Sequence, residues 1–298
     1  MSDQPIAEAV DPKPLILEPL DIQHDTDPAE DHGPARRIPN LGHAILFFTI
    51  AFFFINLCAL IVFSALHISL EAPEKHPGVA LAAQALAYAL TLVFSAWLFP
   101  RLWRRPFLRG IEWNALALRR RWYWAVGSGI LLSATAQIVI VKFIHAPDNA
   151  PIDDLLKTPH EAWLTAAFAI LCAPLVEEIA FRGFLLPALA TAYDWLALDR
   201  TPAGIERWKN SSLHTASALI FSAIFSSIPF ALLHAGQLSH AWGVVGVLYG
   251  VSVLLSLMRI RTHSVACSTL MHATYNLTIF AILFLSSGGF RHLENLQK

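Results

Sequence analysis

Charge is scarce in this sequence. Only 14% of its 298 residues are Asp, Glu, Lys or Arg, where a soluble domain carries ~25%. That shortage excludes a large water-facing surface, because the residues needed to cover an ordinary core are missing. The charges present nearly cancel, with a formal net charge of -1. No overall basic field is therefore available to bind nucleic acid. Cysteine is also sparse. Cys58, Cys172 and Cys267 stand apart in apolar surroundings, which excludes a disulfide framework or a cysteine metal site and leaves three small hydrophobes. The dinucleotide fingerprint, the P-loop and HExxH are all missing. So are the leader pattern of a secretory signal and any visible repeat of the inverted-repeat transporter kind.

What the sequence has instead is apolar length. Fully 55% of residues are apolar, with a mean hydropathy of +0.51, and they cluster in seven runs: 41–66, 78–99, 122–144, 162–190, 216–235, 242–258 and 264–285. Most reach the ~20 residues that cross a bilayer as a helix. Seven such runs joined by short links leave too little polar surface for a soluble fold. The expected fold class is all-α, a polytopic membrane helix bundle of about seven to eight transmembrane helices, some kinked or broken. Pro174 and Pro187 interrupt the fourth run, which counts as one helix or two, and Pro229 interrupts the fifth. Trp97, Trp103 and the RWYW entry at 121–124 sit where an interfacial aromatic belt belongs. Residues 1–38 read as a disordered, acidic, cytoplasmic tail, residues 39–288 as the bundle, and 289–298 as a short polar tail.

Orientation follows from Arg and Lys in the links. The link at 100–121 carries Arg101, Arg104, Arg105, Arg109, Arg119, Arg120 and Arg121 against one acid, Glu112. Arg200, Arg207 and Lys209 follow the fourth run, and Arg259 and Arg261 follow the sixth. The intervening links are acidic or poor in bases. Alternation places the N-terminus and the basic links in the cytoplasm, with the chain integral to a membrane and the bacterial inner membrane as its expected home.

Ionisable residues within hydrocarbon are costly and normally have a partner or a task. Three groups stand out. Glu177 and Glu178 precede Arg182 in LVEEIAFRG. Glu178 and Arg182 are four apart, so one helix face holds both, while Glu177 points ~100° away; two adjacent acids with one base imply a carboxylate that is protonated or one held for proton transfer. Phe230 and His234 are four apart after Pro229, and His272 and Asn276 are four apart in the seventh run. Straight helices at 1.5 Å per residue put Glu177 ~20 Å, His234 ~27 Å and His272 ~13 Å from the basic end of their runs. Those depths converge only if a helix is irregular.

The trio EEIAFR at 177–182, FALLH at 230–234 and HATYN at 272–276 resembles the EExxxR, FxxxH and HxxxN motifs of the CAAX-protease and bacteriocin-processing (CPBP, or Abi) family, which includes the type II CAAX prenyl endopeptidase. The likeness covers about residues 120–285. It implies a bundle of about eight helices around a water-accessible cavity, and a glutamate-dependent intramembrane endopeptidase that needs no cofactor. By motif position, Glu177 is the general base acting with His234 on water. His272 and Asn276 face the scissile carbonyl, Arg182 and Glu178 support the glutamate site, and Phe230 packs beside His234 or the substrate. The implied partner is a membrane-associated peptide or protein, lipidated in CAAX processing or a leader peptide otherwise, with the lipid bilayer around it. Three other readings stand beside this one. A zinc-dependent membrane protease would use Glu177, His234 and His272 as ligands. A proton-coupled transporter would use the same groups as a relay. A non-catalytic immunity or scaffold protein would use none of them chemically.

Overall fold

The computed structural model describes residues 37–69, 75–144 and 155–293. The tail expected at 1–38 lies outside them except for its last two residues. Helix α1 (Leu41–Ala65) begins at Asn40, whose side chain accepts from the His43 N–H while the His43 ring accepts from the Asn40 N–H. Pro77 opens α2 (Pro77–Trp103), where a missing N–H costs nothing. A single turn, α3 (Phe107–Gly110), leads to α4 (Ala115–Phe143), capped by Asn114 through the Ala117 N–H.

The fourth span is one continuous 38-residue helical rod, Pro159–Leu196, so seven helices long and apolar enough to cross a membrane are found among the described residues. It runs through α5 (Pro159–Ala167), a π segment Phe168–Cys172, α6 (Ala173–Glu178), a second π segment Ile179–Leu185, and α7 (Leu186–Leu196). The prolines explain the widening. Pro174 and Pro187 cannot donate, and their rings press on the carbonyl four residues back. Each is preceded by a residue that reaches one position further: Ala173 N–H bonds Phe168 O, and Leu186 N–H bonds Phe181 O. The expected kinks are thus absorbed as π turns, which concentrate at functional sites.

A short surface helix, α8 (Pro202–Asn210), precedes α9 (Ala216–Leu233), α10 (Trp242–Thr262) and α11 (Val265–Ser286). Helix α9 passes through Pro229 unbroken and stops at His234. The outer faces carry large exposed apolar side chains such as Phe52, Val93, Leu131 and Val141, as lipid-facing surfaces do. The inner faces are tied by small residues. Ala125, Gly129, Ser133 and Ala136 are buried along α4. A Cβ at Gly129 would stand 2.6 Å from the Met271 carbonyl oxygen and 2.8 Å from Thr274 Cβ, so α4 and α11 touch nearly backbone to backbone. An aromatic core formed by Phe47, Phe99, Trp103, Phe107 and Phe184 joins α1, α2 and α3 to the second π segment. Phe290, past the expected end of the bundle, is buried against Trp163 and Phe284.

The basic links lie together. The Ser264 hydroxyl donates to Asn114 O, Val265 N–H to Glu112 O, and Arg121 to Arg261 O. Arg259 Nη2 donates to Glu112 Oε2 at 2.8 Å. Arg37 donates to Ser211 O and Leu213 O. The entry to α1, the 104–114 link, the 197–215 link and the α10–α11 turn therefore share one end of the bundle, the grouping that their charge implied.

Candidate active site

Glu177 and Glu178 close α6, and Arg182 lies in the π segment that follows. Glu178 and Arg182 are completely buried. The Arg182 Nη1 donates to Glu178 Oε1 at 2.9 Å, as the four-residue spacing predicts. The rest of the guanidinium is held from α10. Its Nη2 donates to Ser252 O at 2.7 Å and Ser252 Oγ at 2.8 Å, and its Nε donates to Ser256 Oγ at 3.3 Å. A buried ion pair is tolerable only when its remaining donors are met in this way.

Helix α11 runs antiparallel along the fourth span and brings its motif residues onto it. His272 Nδ1 lies 3.0 Å from the same Glu178 Oε1. Its Nε2 lies 3.9 Å from Glu177 Oε2. An ionised carboxylate only accepts, so Nδ1 carries the proton and the neutral ring presents a lone pair at Nε2. In that tautomer His272 donates from Nε2 only as an imidazolium. One turn on, Asn276 Nδ2 donates to Ala169 O at 2.6 Å, a carbonyl of the first π segment. Glu177 keeps 19% of its side chain exposed. Tyr88 of α2 lies within electrostatic reach of it, stacked on Phe168 and held by Gln84 at 3.0 Å.

Phe230 packs at the centre. Its ring meets Phe181, His234 and His272 at 5.2, 5.1 and 5.9 Å, and the Arg182 guanidinium sits 4.8 Å above it. His234, half-buried at the end of α9, directs Nδ1 to Phe230 O at 2.9 Å. The carbonyl can only accept, so His234 too presents an unprotonated Nε2 when neutral. Glu177, Glu178, Arg182 and His272 are thus brought together directly. Asn276 is joined through Ala169. His234 is separated from the pair by the Phe230 ring, and among the described residues it makes no ion pair with either glutamate. Among the described residues no group of three or more His, Cys, Asp or Glu is arranged to hold a metal ion, so the zinc set of the rival reading, Glu177, His234 and His272, is not assembled.

His272 contacts the glutamates directly, and the FxxxH helix connects through Phe230, whose ring meets His272. Sequence reading missed Ser252 and Ser256. Their signal was present: two hydroxyls four apart on one face of an otherwise apolar run.

Residues 159–278, which hold all of these motif residues, match the family model described as type II CAAX prenyl endopeptidase Rce1-like. The matched core spans the fourth to seventh membrane helices, and over this segment the chain is similar to membrane proteases of the CAAX/Abi type. The first three spans lie outside the match, although α2 and α4 pack directly on the core. No curated protein and no solved structure matches the chain significantly.

Proposed function

We propose that this CAAX-protease-type protein is an intramembrane endopeptidase that hydrolyses a peptide bond with water activated at Glu177. The observation that carries the reading is the chain Arg182–Glu178–His272–Glu177. Three of its members are locked in bonds, and the fourth is half-open beside an imidazole. The 3.9 Å between His272 Nε2 and Glu177 Oε2 is too long for a direct hydrogen bond, and a small shift admits a bridging water.

In this reaction Glu177 takes a proton from water as the oxygen attacks the scissile carbonyl carbon. The carbonyl oxygen becomes an oxyanion. The remaining Asn276 N–H, and His272 when protonated, supply donors to it. Collapse breaks the C–N bond, and the proton held at Glu177 passes to the leaving amine. His234, with its free Nε2, assists from the far side of Phe230. Arg182 and Glu178 do not react; they fix the His272 tautomer. The substrate is a membrane-associated peptide, either a lipidated CAAX-type C-terminus or a leader peptide, approached from the basic end, which faces the cytoplasm.

Peptidomics of membranes from cells carrying wild-type or Glu177→Gln protein tests this. An uncut peptide should accumulate in the variant, and purified wild-type protein in vesicles should cut it in the presence of a chelator. Equal cleavage by a folded Glu177→Gln protein would overturn the reading.

A further inference from the structure

Arginine and a carboxylate ordinarily pair through two parallel bonds, one to each oxygen. Arg182 and Glu178 do not. Only Nη1 reaches Glu178, and it reaches Oε1 alone, the oxygen already shared with His272 Nδ1. Among the described residues Glu178 Oε2 is buried and accepts no hydrogen bond; the Ser268 hydroxyl lies near it but donates to Val265 O at 3.0 Å. An unsatisfied carboxylate oxygen beside a guanidinium is a costly arrangement, so something holds the guanidinium back. That restraint comes from α10. Ser252 captures Nη2 through both its carbonyl and its hydroxyl, and Ser256 captures Nε. The two serines also brace each other, since Ser256 Oγ donates to Ser252 O at 3.0 Å.

We propose that Ser252 and Ser256 are positioning residues of the peptidase site. They turn the Arg182 guanidinium away from a two-oxygen pairing, so Glu178 Oε1 stays aimed at His272 and fixes that ring with Nε2 toward Glu177. Without the hydroxyls only the Ser252 carbonyl still holds Nη2, Nε is released, and Arg182 turns toward both Glu178 oxygens, so the carboxylate shifts from the geometry that orients His272. The inference rests on the proposed peptidase function for its kinetic arm and stands apart from it for its spectroscopic arm.

The test uses the full chain in detergent or vesicles, as wild type, Ser252→Ala, Ser256→Ala and the double variant. Ser226→Ala serves as control, because Ser226 is a buried serine of α9 whose hydroxyl has no hydrogen-bond partner among the described residues. In protein labelled with 15N-histidine, His272→Gln identifies the His272 signals. Wild type should show Nδ1 protonated and Nε2 not, and the double variant should show a shifted or mixed tautomer. With an S-farnesylated quenched peptide in phospholipid vesicles, kcat should fall about 10- to 100-fold while KM changes little. Ser252→Thr, which keeps the hydroxyl, should recover most of it. Unchanged His272 signals and unchanged kcat in the double variant would overturn the proposal. So would a lower Tm with His272 signals and kcat per folded molecule intact, which is what simple packing predicts. If wild type cuts no peptide, the peptidase reading fails, and the 15N signals alone decide the role of the serines.

Discussion

Two polar clusters in this bundle use nearly the same side chains. In the middle of the bundle, Glu178 is joined by Arg182 and His272, and Arg182 in turn by the hydroxyls of α10. At the basic end, Asp194 is joined by His214 Nδ1 at 2.9 Å, Thr215 Oγ1 at 2.6 Å and Arg37 at 3.6 Å, with Arg37 stacked on Trp208 at 3.8 Å. Each has an acid, a histidine, an arginine and a hydroxyl. The end cluster has a structural account with no acid left over, although Arg37 Nε is buried without a partner among the described residues: Asp194 accepts from the Thr215 hydroxyl, and that hydroxyl caps α9 through the Ala218 N–H. Among the described residues the middle cluster leaves Glu177 over, partly exposed and without a hydrogen bond, and leaves Glu178 Oε2 unmet. Identical residue types therefore mean different things, and what separates them is whether an acid is left over.

The sharpest way to break that contrast is Glu177→Gln against Asp194→Asn. Glu177→Gln should lower cleavage by about 10²- to 10⁴-fold, the range for a lost general base, with Tm nearly unchanged. Asp194→Asn should leave turnover per folded molecule as in wild type. Vesicle cleavage assays alongside thermal melts separate the two, and equal losses of turnover would erase the distinction.

Arg182→Ala comes next. It strands Glu178 without its cation in the dry interior and should cost about 3–5 kcal/mol, seen as loss of folded protein in denaturant titration. Gly129→Leu probes a dependence only the middle cluster has. It forces α4 and α11 apart, so it should destabilise by about 1–3 kcal/mol and reduce cleavage by moving His272. Thr215→Ala at the end cluster removes the cap of α9 and the hydroxyl bond to Asp194 and should cost about 0.5–2 kcal/mol, leaving turnover of the folded fraction intact.

The smallest effect is a pH dependence at the basic end. Burial pushes the Glu112 carboxyl up, but Arg259, with His263 and His214 nearby, outweighs it and holds the group below its ordinary value of 4.5. Its contribution to stability is then complete above that value and fades as pH falls through the lowered one. Glu112→Gln should flatten the acid side of a Tm-versus-pH curve. Glu112 keeps 52% of its side chain exposed, so screening makes the change slight, and it should shrink further in high salt.

Much of this protein was legible without its fold. Scarce charge and seven apolar runs determined a membrane bundle, because backbone groups in hydrocarbon must bond within their own helices. The basic links predicted which loops share an end. The spacing of Glu178 with Arg182 gave their ion pair, since four residues apart share a face in any helix near 3.6 residues per turn. What sequence spacing could not give was anything that crosses between helices. Only the tertiary structure decided that Pro174 and Pro187 widen one continuous helix rather than break it, and that His272 rather than His234 stands beside Glu177. It also decided that two serines of a motif-free helix restrain Arg182. Those outcomes depend on the close approach of α4 to α11 at Gly129 and on the registry of α10 against the fourth span. Such long-range packing is set by the shapes of many side chains at once, and no short motif records it.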